Sequence, residues 1–161
     1  MKIFSNPGKI KHELSYYNDK EIGFVPTMGA LHKGHISLIN KSIAENDITV
    51  VSIFVNATQF NDPEDLKKYP NNLNNDIRIL ESLNVNYLFS PEHNLLYNDN
   101  YSYRIIETNF SKELCGKQRE GHFEGVLTVV MKLLNIVNPI RAYFGEKDFQ
   151  QYKLIKGMTE A

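Results

Sequence analysis

The sequence predicts an α/β fold, a doubly wound parallel sheet with helices on both faces. Three observations carry that prediction. Apolar strand-like runs alternate with stretches of helical periodicity from Ile22 to the end of the chain. The run Ile48–Val55, Ile-Thr-Val-Val-Ser-Ile-Phe-Val, is rich in β-branched and apolar residues, the pattern of a strand covered on both sides. The segment Gly23–His35 passes from a short strand through a glycine turn directly into a helix, as the first crossover of such a sheet does.

Taken in order, Met1–Tyr17 holds no apolar run that could serve as a signal peptide. Ile22–Val25 reads as a strand and His35–Glu45 as an amphipathic helix with Ile36, Ile39 and Ile43 on one face. After the buried strand Ile48–Val55, the run Asp62-Pro63-Glu64-Asp65 supplies a cap, a first-turn proline and two acidic residues, opening a short helix that ends near Pro70. Its carboxylates are expected to be partners of the helix dipole rather than catalysts. Asn72–Leu83 repeats Leu73, Ile77 and Leu80 at helical spacing, and Val85–Phe89 resumes a strand. Asn94–Asn100 is polar and turn-like, Tyr101–Thr108 alternates like a strand, and Ser111–Gly121 reads as loop or short helix. Phe123–Val137, apolar almost all round and too long for a strand, predicts a buried helix stopped by Asn138-Pro139. Ala142–Phe144 is the last strand, and a helix starts at Asp148. The spacing of Asp148 and Gln151 is compatible with a capping box.

At 161 residues and 42% hydrophobic, the chain has enough apolar material for one core, so one domain is expected. A net charge of −1 without clustered Lys and Arg argues against a nucleic-acid or membrane-surface partner. Small anionic substrates remain open, because a few local cations suffice. The single Cys115 allows no internal disulfide, fits a cytoplasmic protein, and is expected to be a packing residue. The longest apolar stretch is too short to span a bilayer.

The turn Met28-Gly29-Ala30-Leu31-His32-Lys33-Gly34-His35 places two histidines at the mouth of a helix, where unpaired N–H groups and the positive dipole end attract anions. Gly29 and Gly34 are expected to let the backbone approach a phosphate closely. A plain βα turn with surface histidines is the competing reading, and either histidine alone would favour it. Four segments, Thr27–His35, Asn56–Phe60, Arg119–His122 and Gly145–Gln151, would meet at one edge of a doubly wound sheet. They bring cations (Lys147, Arg119, the histidines) and neutral amides (Asn56, Gln59, Gln150, Gln151) together. No serine or cysteine triad is legible. Such a set suits phosphoryl chemistry, where catalysis is mostly alignment and charge neutralisation.

The His-x-Gly-His spacing of His32–His35 is similar to the HIGH motif of Rossmann-like nucleotidylyl transferases. Four longer stretches, Pro26–His35, Ser52–Phe60, Gly121–Val130 and Tyr143–Gln151, resemble together and in order the pantoate–beta-alanine ligase family. That resemblance implies attack of the (R)-pantoate carboxylate on the α-phosphate of Mg-ATP, giving pantoyl adenylate and pyrophosphate. Beta-alanine then displaces AMP to form pantothenate. The resemblance makes His35 the proton donor with His32 beside it and Lys147 on phosphate. ATP would be held by Met28–His35, Lys33 included, and by Gly145, Glu146, Lys147 and Asp148. Gln59, Gln151, Asn56 and Arg119 would serve pantoate and beta-alanine. It also implies a homodimer, ATP and Mg2+ as the cofactors, and no assigned protein ligand for the metal.

Ala57 and Glu120 stand where the family usually has proline, and Glu124 where arginine is common, which changes charge beside the expected pocket. The family also continues beyond the length of this chain into a second ATP-binding segment and a smaller C-terminal lid domain. Residues 1–161 are therefore expected to be the nucleotide- and pantoate-binding domain, binding ligands weakly and turning over poorly by themselves. Two alternatives stay open: a nucleotidylyl transferase with another acceptor, and a non-catalytic nucleotide-binding or dimerisation module.

Overall fold

Four of the strands that the sequence predicts are present, a fifth is not, and an unpredicted strand closes one edge of the sheet. The computed structural model describes residues 1–161. Strands β1 (Lys2–Phe4), β2 (Ile22–Thr27), β3 (Ile48–Ile53), β4 (Tyr87–Phe89) and β5 (Arg141–Ala142) form one sheet in the order β1-β4-β3-β2-β5, and every pairing is parallel. From β2 the chain steps outward through β3 to β4, then crosses back and lays β5 on the other side of β2. The winding reverses between β2 and β5, and the crevice beyond their carboxyl ends is where doubly wound sheets bind ligands.

Seven helices cover the sheet: α1 (Pro7–Leu14), α2 (Lys33–Glu45), α3 (Pro63–Lys68), α4 (Leu73–Ser82), α5 (His93–Leu96), α6 (His122–Val137) and α7 (Phe149–Glu160). Alternation along the strands divides the apolar residues between two faces. Phe24, Val50 and Phe89 pack with Ile10 of α1, Leu127 of α6 and Leu154 of α7. Val25, Val51 and Leu88 pack with Ile39 of α2 and Leu80 of α4. Helix α6 runs across the first face with Phe123, Val126, Leu127, Val130 and Leu133 buried, as its apolar sequence predicts.

Tyr101–Thr108 is not a strand. Asn100 and Tyr101 both have positive φ, and the backbone N–H groups of Tyr103 and Ile105 go to the side chains of Asp99 and Thr128 instead of a neighbouring strand. β5 ends at Ala142, two residues short of Phe144. On α2 the stripe facing the sheet includes Ser42, fully buried and bonded to the Thr49 hydroxyl at 2.9 Å, while Ile43 is exposed. A short hydroxyl is needed there because α2 crosses tightly over Gly23, where an added Cβ would meet Ser42 Oγ. Asp62 caps α3 as expected, accepting the Glu64 N–H at 2.8 Å. Asp148 caps nothing with its side chain, and Cys115 is exposed rather than packed. No helix is long and apolar enough to cross a membrane.

Candidate active site

The turn leaving β2 is built to satisfy itself. Thr27 Oγ1 donates to the Ser52 carbonyl at 2.8 Å and accepts the Gly29 N–H at 3.1 Å. Gly29 (φ 83°) and Ala30 (φ 52°) are both left-handed, an arrangement that glycine adopts freely and alanine only when held. The holder is Asp76 on α4, 2% exposed, whose two carboxylate oxygens each accept one N–H, from Ala30 and from Leu31, at 2.9 Å. The backbone donors of Gly29, Ala30 and Leu31 are thus already paired, which corrects the expectation of an open backbone cradle. Gly34 likewise does not open the backbone to a ligand. It leaves room for the His32 ring, which an added Cβ would approach to 2.9 Å.

The histidine rings of this turn sit at the start of α2, and neither lines the cavity beside it. His32 is the N-cap of α2, its Nδ1 accepting the Gly34 N–H at 3.1 Å, and His35 Nδ1 accepts the His32 N–H at a long 3.4 Å. With both Nδ1 atoms accepting, the network assigns the ring protons to Nε2. The rings lie 4.0 Å apart between centroids at an interplanar angle of 30°. The capping reading and the anion-site reading of these histidines are therefore compatible. Burial and the neighbouring His32 charge push the His35 proton affinity down, and Asp76 and Asp148 partly oppose this.

Beside the turn lies a cavity of about 440 Å³. Five of the expected site residues line it: Met28, Gln59, Arg119, Asp148 and Gln151. They come from the turn after β2, from the short turn Ala57–Gln59 that follows β3, from the loop before α6, and from the start of α7. Gln59 Nε2 lies 3.2 Å from Met28 Sδ, which ties the amide to the glycine turn. His122, at the first position of α6, donates from Nδ1 to the Gln59 carbonyl at 2.8 Å and faces Arg119 through Nε2 at 3.5 Å. Burial lowers its proton affinity and Arg119 lowers it further, against the Gln59 carbonyl and Asp148.

Other expected residues fall elsewhere. Asn56 is fully enclosed and does not reach the cavity, because its amide is bonded to Gly125, Gln59, Tyr97 and Thr58. Glu146 and Lys147 are exposed on the short turn that delivers Asp148, and Lys33 is exposed at the start of α2. Glu124 is paired with Arg104 at 2.9 Å and does not line this cavity, so its charge falls away from the pocket. Sequence reading missed several contributors, Phe60, Pro70 and His122 among them. Asp65, expected only as a dipole partner, joins Lys68 and Tyr69 in the cavity wall. Asp76 had a legible signal, since it precedes buried Leu80 by one turn and places a carboxylate on the apolar stripe of α4.

A family model described as pantoate-beta-alanine ligase matches residues 2–161. The chain is similar to the pantothenate synthetase of Fervidobacterium nodosum, at 56% identity over 88% of this chain and 50% of that one. It is 53% identical to the pantothenate synthetase of Thermodesulfovibrio yellowstonii over 99% of this chain and 58% of that one. The crystal structure of Francisella tularensis pantoate-beta-alanine ligase, complexed with beta-gamma ATP and beta-alanine, superposes with a TM-score of 0.96 at 50% identity, covering 99% of this chain and 62% of that one. Thermus thermophilus pantothenate synthetase gives 0.92 at 38% identity, over 99% and 57% respectively. The chain spans about half the length of the curated relatives it matches.

Proposed function

The chain belongs to the pantoate–beta-alanine ligase family, and from that premise we propose that it binds ATP and (R)-pantoate and takes part in their condensation with beta-alanine. The observation that supports this most is the meeting of Gln59, Gln151, Met28, Arg119 and Asp148 around one cavity beside the His32–His35 turn. Two carboxamides lining one cavity offer neutral donors and acceptors to a hydroxy acid, and the rings offer Nε2–H donors to phosphate oxygens. Residues 1–161 form the nucleotide- and pantoate-binding domain in this reading.

The pantoate carboxylate oxygen attacks the α-phosphorus of ATP, forming the acyl–phosphate bond as the α–β bridging bond breaks and pyrophosphate leaves. The amine of beta-alanine then attacks the acyl carbon, losing a proton as AMP departs. Gln59 and Gln151 align the acid, a role whose worth lies in orientation rather than charge. His35 and His32 stabilise charge on the departing pyrophosphate through Nε2–H. Being half-buried and of lowered proton affinity, His35 serves as a neutral hydrogen-bond donor more readily than as a cation. Lys147, Glu146 and Gly145 reach the nucleotide from the edge, and Arg119 stands at the cavity rim for the second acid.

Nowhere do three His, Cys, Asp or Glu side chains gather to hold a metal, so the residues do not fit a resident magnesium cage. Magnesium enters this reading only as the counter-ion of ATP, and no step runs through a protein-held metal. The same reading carries a homodimer, tested by sedimentation, and a cytoplasmic setting, with which the exposed lone Cys115 is consistent. Calorimetric titration of the chain with Mg-ATP and with (R)-pantoate tests the proposal. Both are expected to bind, with Gln59→Ala losing pantoate and retaining ATP; a chain that takes up neither overturns it.

A further inference from the structure

Asn56 is completely buried and makes all the bonds its carboxamide can make. Its Nδ2 donates to the Gly125 carbonyl at 3.1 Å and to Gln59 Oε1 at 3.1 Å. Its Oδ1 accepts from the Tyr97 hydroxyl at 2.9 Å and from the Thr58 hydroxyl at 3.0 Å. A backbone carbonyl can only accept, so the Gly125 carbonyl fixes which end of Asn56 is the amino group. The second Nδ2 proton then demands an acceptor, and only Oε1 of Gln59 can face it. Gln59 is left with its amino group turned outward, toward Met28 Sδ and the cavity.

We propose that Tyr97 and Asn56 are positioning residues that hold the Gln59 carboxamide in one orientation, amino group to the cavity, so that this position selects an oxygen acceptor of the acid substrate and rejects a donor. The inference rests on the reading that Gln59 faces that acid. Tyr97 is 2% exposed, packed against Phe54, His93 and Tyr101, so its hydroxyl is held rigidly. Burial pushes its proton affinity up to about 12, which keeps the hydroxyl protonated and able to donate at any working pH. A free glutamine amide turns over readily, whereas one set through a buried relay presents a single face.

Two readouts separate this inference from the functional reading. In the isotope-labelled chain, a scalar coupling across the hydrogen bond between Asn56 Nδ2 and Gln59 Cδ is expected, and its absence overturns the orientation without reference to any ligand. In Tyr97→Phe the coupling weakens, and (R)-pantoate affinity falls about three- to tenfold while ATP affinity and the melting curve stay close to those of the unmodified chain. Unchanged pantoate affinity in that variant overturns the relay. A parallel loss of ATP affinity overturns it as well, since it marks a general structural effect. Thr58→Ala removes the other donor to Asn56 Oδ1 and serves if Tyr97→Phe fails to fold, with the same pair of outcomes. If pantoate binds neither protein, the functional reading falls and the coupling alone decides the inference.

Discussion

Gly125 and Gln59 approach so closely that a Cβ on the helix residue would lie 2.8 Å from the Gln59 backbone nitrogen and 2.6 Å from the Thr58 carbonyl oxygen. Helix α6 therefore presses its backbone directly on the turn that presents the candidate acid-binding amide. Because the obstructing atoms are main chain, they cannot swing aside as a side chain would.

Gly125→Ala is accordingly expected to destabilise the chain by about 1–3 kcal/mol, the usual cost of overpacking. It is also expected to weaken pantoate binding by moving Gln59. Thermal melting and ligand titration check the two effects, and a variant that melts and binds like the parent contradicts the close approach.

Asp76→Ala would strip both acceptors from the Ala30 and Leu31 N–H groups and release a left-handed alanine. Each buried donor left unpaired costs about 1–3 kcal/mol, so the variant is expected to be among the most destabilised single changes in the chain. Urea unfolding measures the loss. Faster amide exchange at Ala30 and Leu31, with the rest of the sheet still protected, locates it.

Gly34→Ala sets two effects against each other. Alanine is the better helix former, by at most about 1 kcal/mol in this first turn, while the added methyl crowds the His32 ring and disturbs the cap. Loss of a cap is worth about the same amount, so little net change in stability is expected. Nucleotide affinity should fall because the adjacent rings separate. Equal affinity in variant and parent would argue that His32 and His35 act only as a cap.

His35 and His122 both have proton affinities lowered from the ordinary 6.5, chiefly by burial. The unfolded chain then binds more protons than the folded one in the window below that value, so stability rises with pH there and levels off above it. Acidification is expected to destabilise the fold, and His35→Gln should flatten part of the slope. Urea midpoints across that window, together with ring-proton titrations by NMR, test the sign; a midpoint rising as pH falls refutes it.

Much of this was legible in the chain itself. Strands β2, β3 and β4 follow from apolar runs, α6 from a stretch apolar almost all round and too long for a strand, and the α3 start from Asp62-Pro63. Local chemistry dictates these, since each rests on neighbours within a few residues. Tyr101–Thr108 misled because alternation is only permission to form a strand, and here no partner strand lies alongside it. β1 escaped notice because its pairing with β4 joins residues far apart in sequence, Lys2 with Tyr87.

Local residue patterns were enough to read the doubly wound α/β class and four of the segments that border the site, but not the strand order or the 65–70 wall. They could not say which polar side chains in those segments face a cavity and which face one another. Asn56 and Gln59 read alike, yet one is sealed beneath α6 and the other lines the cavity. Only packing decides this. A carboxamide buried against a carbonyl has its hydrogen bonds chosen by atoms tens of residues away, and no local pattern records that choice.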